Sequence, residues 1–120
     1  MSDQSRKVLI VTIINAGFVD LVMDAARRVG ATGGTVLHGR GTGNPEIEKT
    51  FGITIHPDKD IVFIVVDQSK EADVLTAIYR GAGLETRGQG IAFSLPLSET
   101  VGLQPSAETI NKTPSQDEAS

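Results

Sequence analysis

Hydrophobic positions along this chain switch between two periods, and the switches mark out its elements. Lys7-Val-Leu-Ile-Val-Thr-Ile-Ile14 is apolar at odd and even positions alike and rich in β-branched residues, which predicts a strand buried on both faces. Asn15-Ala16-Gly17 interrupts it, with Asn15 a candidate cap. Phe18, Leu21, Val22, Ala25, Ala26 and Val29 then recur at helical spacing up to a stop at Gly30. Arg27 and Arg28 fall in the last turn, where positive charge offsets the helix dipole. Thr35 to His38 predicts a second strand that can extend to Arg40. Asn44 to Lys49 reads as an exposed loop with room for one helical turn, Gly52 to His56 as a resumed strand and Pro57 to Asp60 as a turn. Ile61 to Val66 is again apolar on both faces. A second helix, capped by Asp67 or Ser69, would turn Ala72, Leu75, Ile78, Tyr79 and Ala82 inward and end at Gly81 or Gly83. Ile91, Phe93, Leu95 and Leu97 alternate with smaller or polar residues, the period of a half-buried last strand, and Pro96 suits a strand end.

The resulting order, β-α-β-β-α-β, predicts an α+β, ferredoxin-like domain: a four-stranded antiparallel sheet with two helices on one face. Two helices cover only one face. Yet Leu9, Val11 and Ile13 are interleaved with Val8, Ile10 and Ile14, and Ile61, Phe63 and Val65 with Val62, Ile64 and Val66. A lone copy would expose a contiguous apolar patch of the kind soluble monomers avoid, so the pattern predicts an oligomer closed through the open sheet face. At 120 residues the chain holds one such domain, residues 6–103. Residues 1–5 are polar and expected to be flexible, and residues 104–120 have hardly any apolar side chains and are expected to form a disordered tail.

The formal charge of −4 and the lack of a dense Lys/Arg cluster argue against a nucleic-acid partner. The longest apolar run, Val8 to Ile14, is far short of the about 20 residues of a membrane span, so direct membrane insertion is not expected. The absence of cysteine suits a cytoplasmic protein and removes thiolate metal ligands. Candidate chemistry concentrates in two glycine turns. Gly33 to Asn44 joins a β-branched segment to Arg40-Gly41-Thr42-Gly43, and Arg87-Gly88-Gln89-Gly90 echoes it later. Residues without a Cβ let backbone amides approach an anion closely, and each turn carries an arginine. His38 and His56 lack metal-ligand spacing, no nucleophile elbow is present, and the glycines fit neither the Walker nor the dinucleotide pattern. No catalytic or metal residues are expected, and no enzyme.

Three stretches resemble the PII signal-transduction family. Gly30-Ala-Thr-Gly33-Gly34-Thr35-Val36 is similar to the family's Gly-x-x-Gly-Met-Thr-Val and continues without gaps to Arg40-Gly41-Thr42-Gly43, where the family has Lys-Gly-Phe-Gly. Ile64-Val65-Val66-Asp67 before a helix is similar too, and Gly88-Gln89-Gly90-Ile91-Ala92-Phe93 resembles the nucleotide-binding B-loop Gly-Asp-Gly-Lys-Ile-Phe. The resemblance implies a homotrimer that senses adenine nucleotides in clefts between subunits and signals to a partner, such as a membrane transporter or an enzyme. Carried over position by position, Gly33, Gly34, Thr35 and the Val65 backbone would face adenine. Gly41, Thr42 and Gly43 would form the base of the regulatory T-loop, and Gly88, Gln89 and Gly90 would offer amides to phosphate.

Departures from the family shape the ligand expected. Ile91 replaces a phosphate-binding lysine, and Gly102 and Gln104 replace two arginines. Each charge-assisted contact is worth about 1.5–3 kcal/mol, so AMP, ADP or a cyclic nucleotide is favoured over ATP, with Arg40 and Arg87 compensating in part. The nucleotide would be a ligand and not a catalytic cofactor. The T-loop is cut down to residues 44–52 and has no tyrosine, which argues against regulation by tyrosine modification. The alternatives are a trimeric metal-binding, metal-tolerance-type protein of similar fold and a sensor of another small anion.

Overall fold

A computed structural model describes residues 6–43, 45–52 and 57–103. Four strands, β1 (Lys7–Asn15), β2 (Thr35–Arg40), β3 (Asp58–Asp67) and β4 (Gly90–Pro96), form one antiparallel sheet in the order β2-β3-β1-β4. Helices α1 (Val19–Arg28) and α3 (Glu71–Gly81) pack on each other and on one sheet face, giving the expected ferredoxin-like arrangement. A further short helix, α2 (Pro45–Phe51), occupies the stretch expected to be mostly loop. The strand expected over Gly52 to His56 falls largely on residues 53–56, outside the described residues, as do both expected flexible termini, 1–5 and 104–120.

Alternation in the strands sorts the core from the open face. Val8, Ile10, Thr12 and Ile14 of β1 and Val62, Ile64 and Val66 of β3 are buried beneath Val22, Met23, Ala26, Val74, Ile78 and Ala82 from the helices and their ends. The opposite parity forms continuous cross-strand rows: Ile61–Ile13–Ile91, Phe63–Val11–Phe93 and Val65–Leu9–Leu95, with Leu37 beside Ile61. Among the described residues, no element covers these rows. Ile91, Phe93 and Leu95 are the apolar half of β4, and they face the open side.

Several local expectations change. Asn15 does not cap α1, whose N-cap is Phe18 with no side-chain bond; Asn15 completes β1 instead. In α1, Leu21 turns outward and Met23 inward, because the close contact with α3 runs over alanines: a Cβ on Gly81 would stand 2.7 Å from the Ala25 Cβ. The C-terminus of α1 does end as expected, Gly30 taking φ 111° while Ala31 N–H bonds the Ala26 carbonyl. Asp58, Lys59 and Asp60 are not a turn but the start of β3, since pairing with Arg40 to His38 on one side and with Asn15 and Ile14 on the other outweighs their turn preference. Before α3 a 3-10 turn (Gln68–Lys70) intervenes, neither Asp67 nor Ser69 caps the helix, and Asp67 pairs with Lys7. Val74, Ile78 and Ala82 form its buried stripe, which leaves Ala72 and Tyr79 exposed.

Candidate functional site

The glycine turns lie at one end of the sheet but on opposite edges. Arg40 ends β2, with Gly41, Thr42 and Gly43 following, and Arg87, Gly88 and Gln89 lead into β4 at Gly90. With β3 and β1 between them, the two edges are about 14 Å apart, three inter-strand spacings. Thus one chain does not bring its two turns together. At the far end of β2, Gly33, Gly34 and Thr35 sit beside β3, which outruns β2: Thr35 is opposite Phe63, so Val65 lies two residues beyond the last pair. The candidate residues therefore run along the β2 edge from Gly33 to Gly43, with Arg87 to Gly90 on the other edge.

The glycines divide by physical role. Gly34 is confined, since a Cβ would lie 3.0 Å from the Phe63 carbonyl oxygen and 3.1 Å from the Met23 sulfur. Gly90 is confined more tightly, at 2.4 Å from the Ile13 carbonyl oxygen, so the pairing of β4 with β1 itself requires it. Gly88 needs its left-handed φ of 85° for the turn. Gly33 has neither requirement: nothing stands within 4 Å of its would-be Cβ and its φ is not positive.

Polar groups tie this end of the sheet together. Lys59 Nζ donates to Asn15 Oδ1 at 2.6 Å, and Asn15 Nδ2 donates to Gln89 Oε1 at 3.0 Å and to the Gly88 carbonyl at 3.1 Å. Gln89 Nε2 in turn donates to the Ala82 carbonyl at 3.2 Å, and Gly41 N–H bonds the Pro57 carbonyl at 2.7 Å. Lys59 also packs against Gly41, so both turns are braced by side chains from β1 and β3. Among the described residues, neither Arg40 nor Arg87 makes an ion pair.

On the helix side of the β2 edge, His38, Arg40, Asp58, Lys59 and Asp60 line a depression of about 450 Å³ with Ala16 and Gly39. His38 Nδ1 lies 2.6 Å from Asp60 Oδ1, and Asp60 Oδ2 accepts the Gly17 N–H at 3.2 Å. The bond to His38, then the Gly17 amide, hold the Asp60 carboxyl below its ordinary value, so it is ionised and Nδ1 carries the shared proton. Nothing in the spacing of His38 and Asp60 announces this pair, because it depends on the register of β2 against β3. Asn15 and Lys59 were missed for the same reason.

Residues 7–107 match a family model described as nitrogen regulatory protein P-II. Among solved structures, the chain is similar to one titled "Crystal Structure of Arabidopsis thaliana PII bound to citrate", with 24% sequence identity, a TM-score of 0.62 and 82% of each chain covered. No curated protein matches the sequence significantly. No helix of the described residues is long and apolar enough to cross a membrane.

Proposed function

This chain belongs to the nitrogen regulatory protein P-II family, and on that premise we propose that it senses a small adenine nucleotide in clefts between the copies of a homotrimer and signals the occupancy to a protein partner. AMP, ADP or a cyclic nucleotide is the ligand in this reading, ahead of ATP. The partner is a transporter or a metabolic enzyme, and the site of action is the cytoplasm.

The observation that carries the proposal is the placement of the turns. Arg40 to Gly43 and Arg87 to Gly90 lie at the same end of the sheet on opposite edges. A ring of copies closed over the apolar rows, with its axis along the strands, sets the β4 edge of one copy against the β2 edge of the next. Both turns then flank one cleft, and neighbouring copies supply one cation each. Gly33, which has no steric or turn requirement within the chain, would lie along the same cleft and leave room for a ligand against its backbone. The preference for fewer phosphates follows from Ile91. Where the family has a lysine, its side chain continues the Ile61–Ile13–Ile91 row on the open face and offers no charge.

A thermal-shift panel of AMP, ADP, ATP and a cyclic adenine nucleotide tests the reading, together with light scattering for the assembly. Ligand at a hundredfold excess over Kd stabilises by about 2.7 kcal/mol, which shifts the melting temperature by several degrees. No shift with any nucleotide at millimolar concentration overturns the nucleotide, and a stable monomer overturns the cleft. A second reading, a small carboxylate anion in the same place, is favoured by the citrate named for the Arabidopsis structure and by the two unpaired arginines.

A further inference from the structure

The depression beside Arg40 contains an arrangement that neither turn explains. We propose that it is a proton-dependent oxyanion subsite, in which His38, held by Asp60, binds a phosphate or carboxylate group together with Arg40. The proposal deepens the reading above, since it assigns a further contact and a pH linkage to the anionic end of the same ligand.

Orientation is the first argument. The His38 side chain is 83% exposed, whereas its partner Asp60 is only 8% exposed and also holds the Gly17 amide. A buried carboxylate thus fixes an exposed imidazole through Nδ1 and leaves Nε2 free at the surface. In a neutral ring Nε2 is an acceptor and contributes nothing to an anion. Protonated, it becomes a charged N–H donor in a fixed direction.

Charge balance is the second. From β3 the depression is lined by Asp58, Lys59 and Asp60, from β2 by His38, Gly39 and Arg40, and from the turn before α1 by Ala16. Lys59 has the open-face parity of Ile61 and its Nζ is on Asn15, so with His38 neutral Arg40 alone faces Asp58 and Asp60, and an oxyanion is disfavoured. Protonation of His38 removes that excess of negative charge and brings the depression to balance. Of the other charges, Asp60 is engaged by His38 and Gly17, and Lys59 by Asn15, so Arg40 is the cation left to act with it. His38 and Arg40 are two residues apart on β2 and project from the same sheet face, which suits both to one oxyanion group.

Calorimetric titration of wild type and His38→Gln with ADP and, separately, citrate at pH 5.5 and pH 8.5 tests the proposal, with circular dichroism and light scattering as controls of fold and assembly. The wild type should bind at least one probe about tenfold more tightly at pH 5.5, as a charge-assisted hydrogen bond is gained. His38→Gln should lose that advantage and leave only the ligand's own ionisation, which acts in the opposite direction because phosphate loses its second proton near pH 6. Asp60→Asn, which keeps the imidazole but weakens its anchor, should give an intermediate pH dependence. If ADP binds and the pH dependence is the same in wild type and His38→Gln, the subsite is wrong and the nucleotide reading stands. If citrate alone binds and its pH dependence is lost in His38→Gln, the subsite stands and the nucleotide reading falls. Binding of neither probe at millimolar concentration overturns both.

Discussion

Gly33→Ala and Gly34→Ala separate a glycine kept for a ligand from one kept for packing. At Gly34 a new Cβ would meet the Phe63 carbonyl oxygen at 3.0 Å, the Met23 sulfur at 3.1 Å and Ile64 Cγ1 at 3.2 Å. The sulfur can yield, but the backbone oxygen cannot move without disturbing β3, so the cost should be about 1–3 kcal/mol. At Gly33 nothing stands within 4 Å and φ is not positive, and removing glycine's freedom from the unfolded chain should stabilise by about 0.4–1 kcal/mol. Urea midpoints at one protein concentration, with the assembly state checked by light scattering, measure both. For a domain of this size the variants should differ in melting temperature by roughly 5–20 °C. Nucleotide affinity should fall in Gly33→Ala despite its stability, because the methyl group enters the space left for the ligand. If Gly33→Ala destabilises as much as Gly34→Ala, the division of the glycines is refuted. If it leaves affinity untouched, Gly33 does not face the ligand.

Thr12 is fully buried in β1 and its hydroxyl has no hydrogen-bond partner, so Thr12→Val should raise stability by about 1 kcal/mol, read as a higher urea midpoint; a loss would mean the hydroxyl is bonded after all. Phe93→Asp places a charge in the centre of the open face, in the Phe63–Val11–Phe93 row, and should drive light scattering from an oligomeric to a monomeric mass. An unchanged mass would remove that face from the assembly. Because Asp60 has a lowered pKa in the fold, its contribution to stability is present above the unfolded carboxylate value near 3.8 and is lost as pH falls through the folded value. Asp60→Asn should therefore flatten the loss of stability below about pH 4, and an acid transition as steep as wild type would show that Asp60 does not contribute to it.

Strands β1 and β3 were legible because double-faced apolar runs are a long-range demand written locally: Val8 to Ile14 and Ile61 to Val66 can only be satisfied by covering two sides of a sheet. What the pattern could not carry was register. Pro57-Asp58-Lys59-Asp60 has the composition of a turn, and only the ladders to β1 and β2 make Asp58, Lys59 and Asp60 extended. Asn15 illustrates the same limit. Ahead of a helix it resembles a cap, yet its side chain is drawn sideways to Gly88, Gln89 and Lys59, residues more than 40 positions away. In α3 the helical period was right but its phase was not, because Val74 and not Tyr79 faces the core when the helix starts after a 3-10 turn.

The glycine turns were visible from the start, but composition alone could not say what each glycine does. Gly90 is demanded by the approach of β4 to β1, Gly34 by its approach to the β3 backbone and to Met23 of α1, and Gly88 by its turn. These three would be required even in a protein that bound nothing, so their presence adds little to the case for a ligand. The weight moves to groups the fold does not need: Gly33, with open space beside it, and the unpaired cations Arg40 and Arg87. His38 joins them, since an imidazole held so far out of the core gives the fold little that a shorter polar residue on Asp60 would not. Residues that fold this chain and residues that would read its ligand therefore lie side by side within one motif, and the packing around each one, which includes the register of β2 against β3, tells them apart.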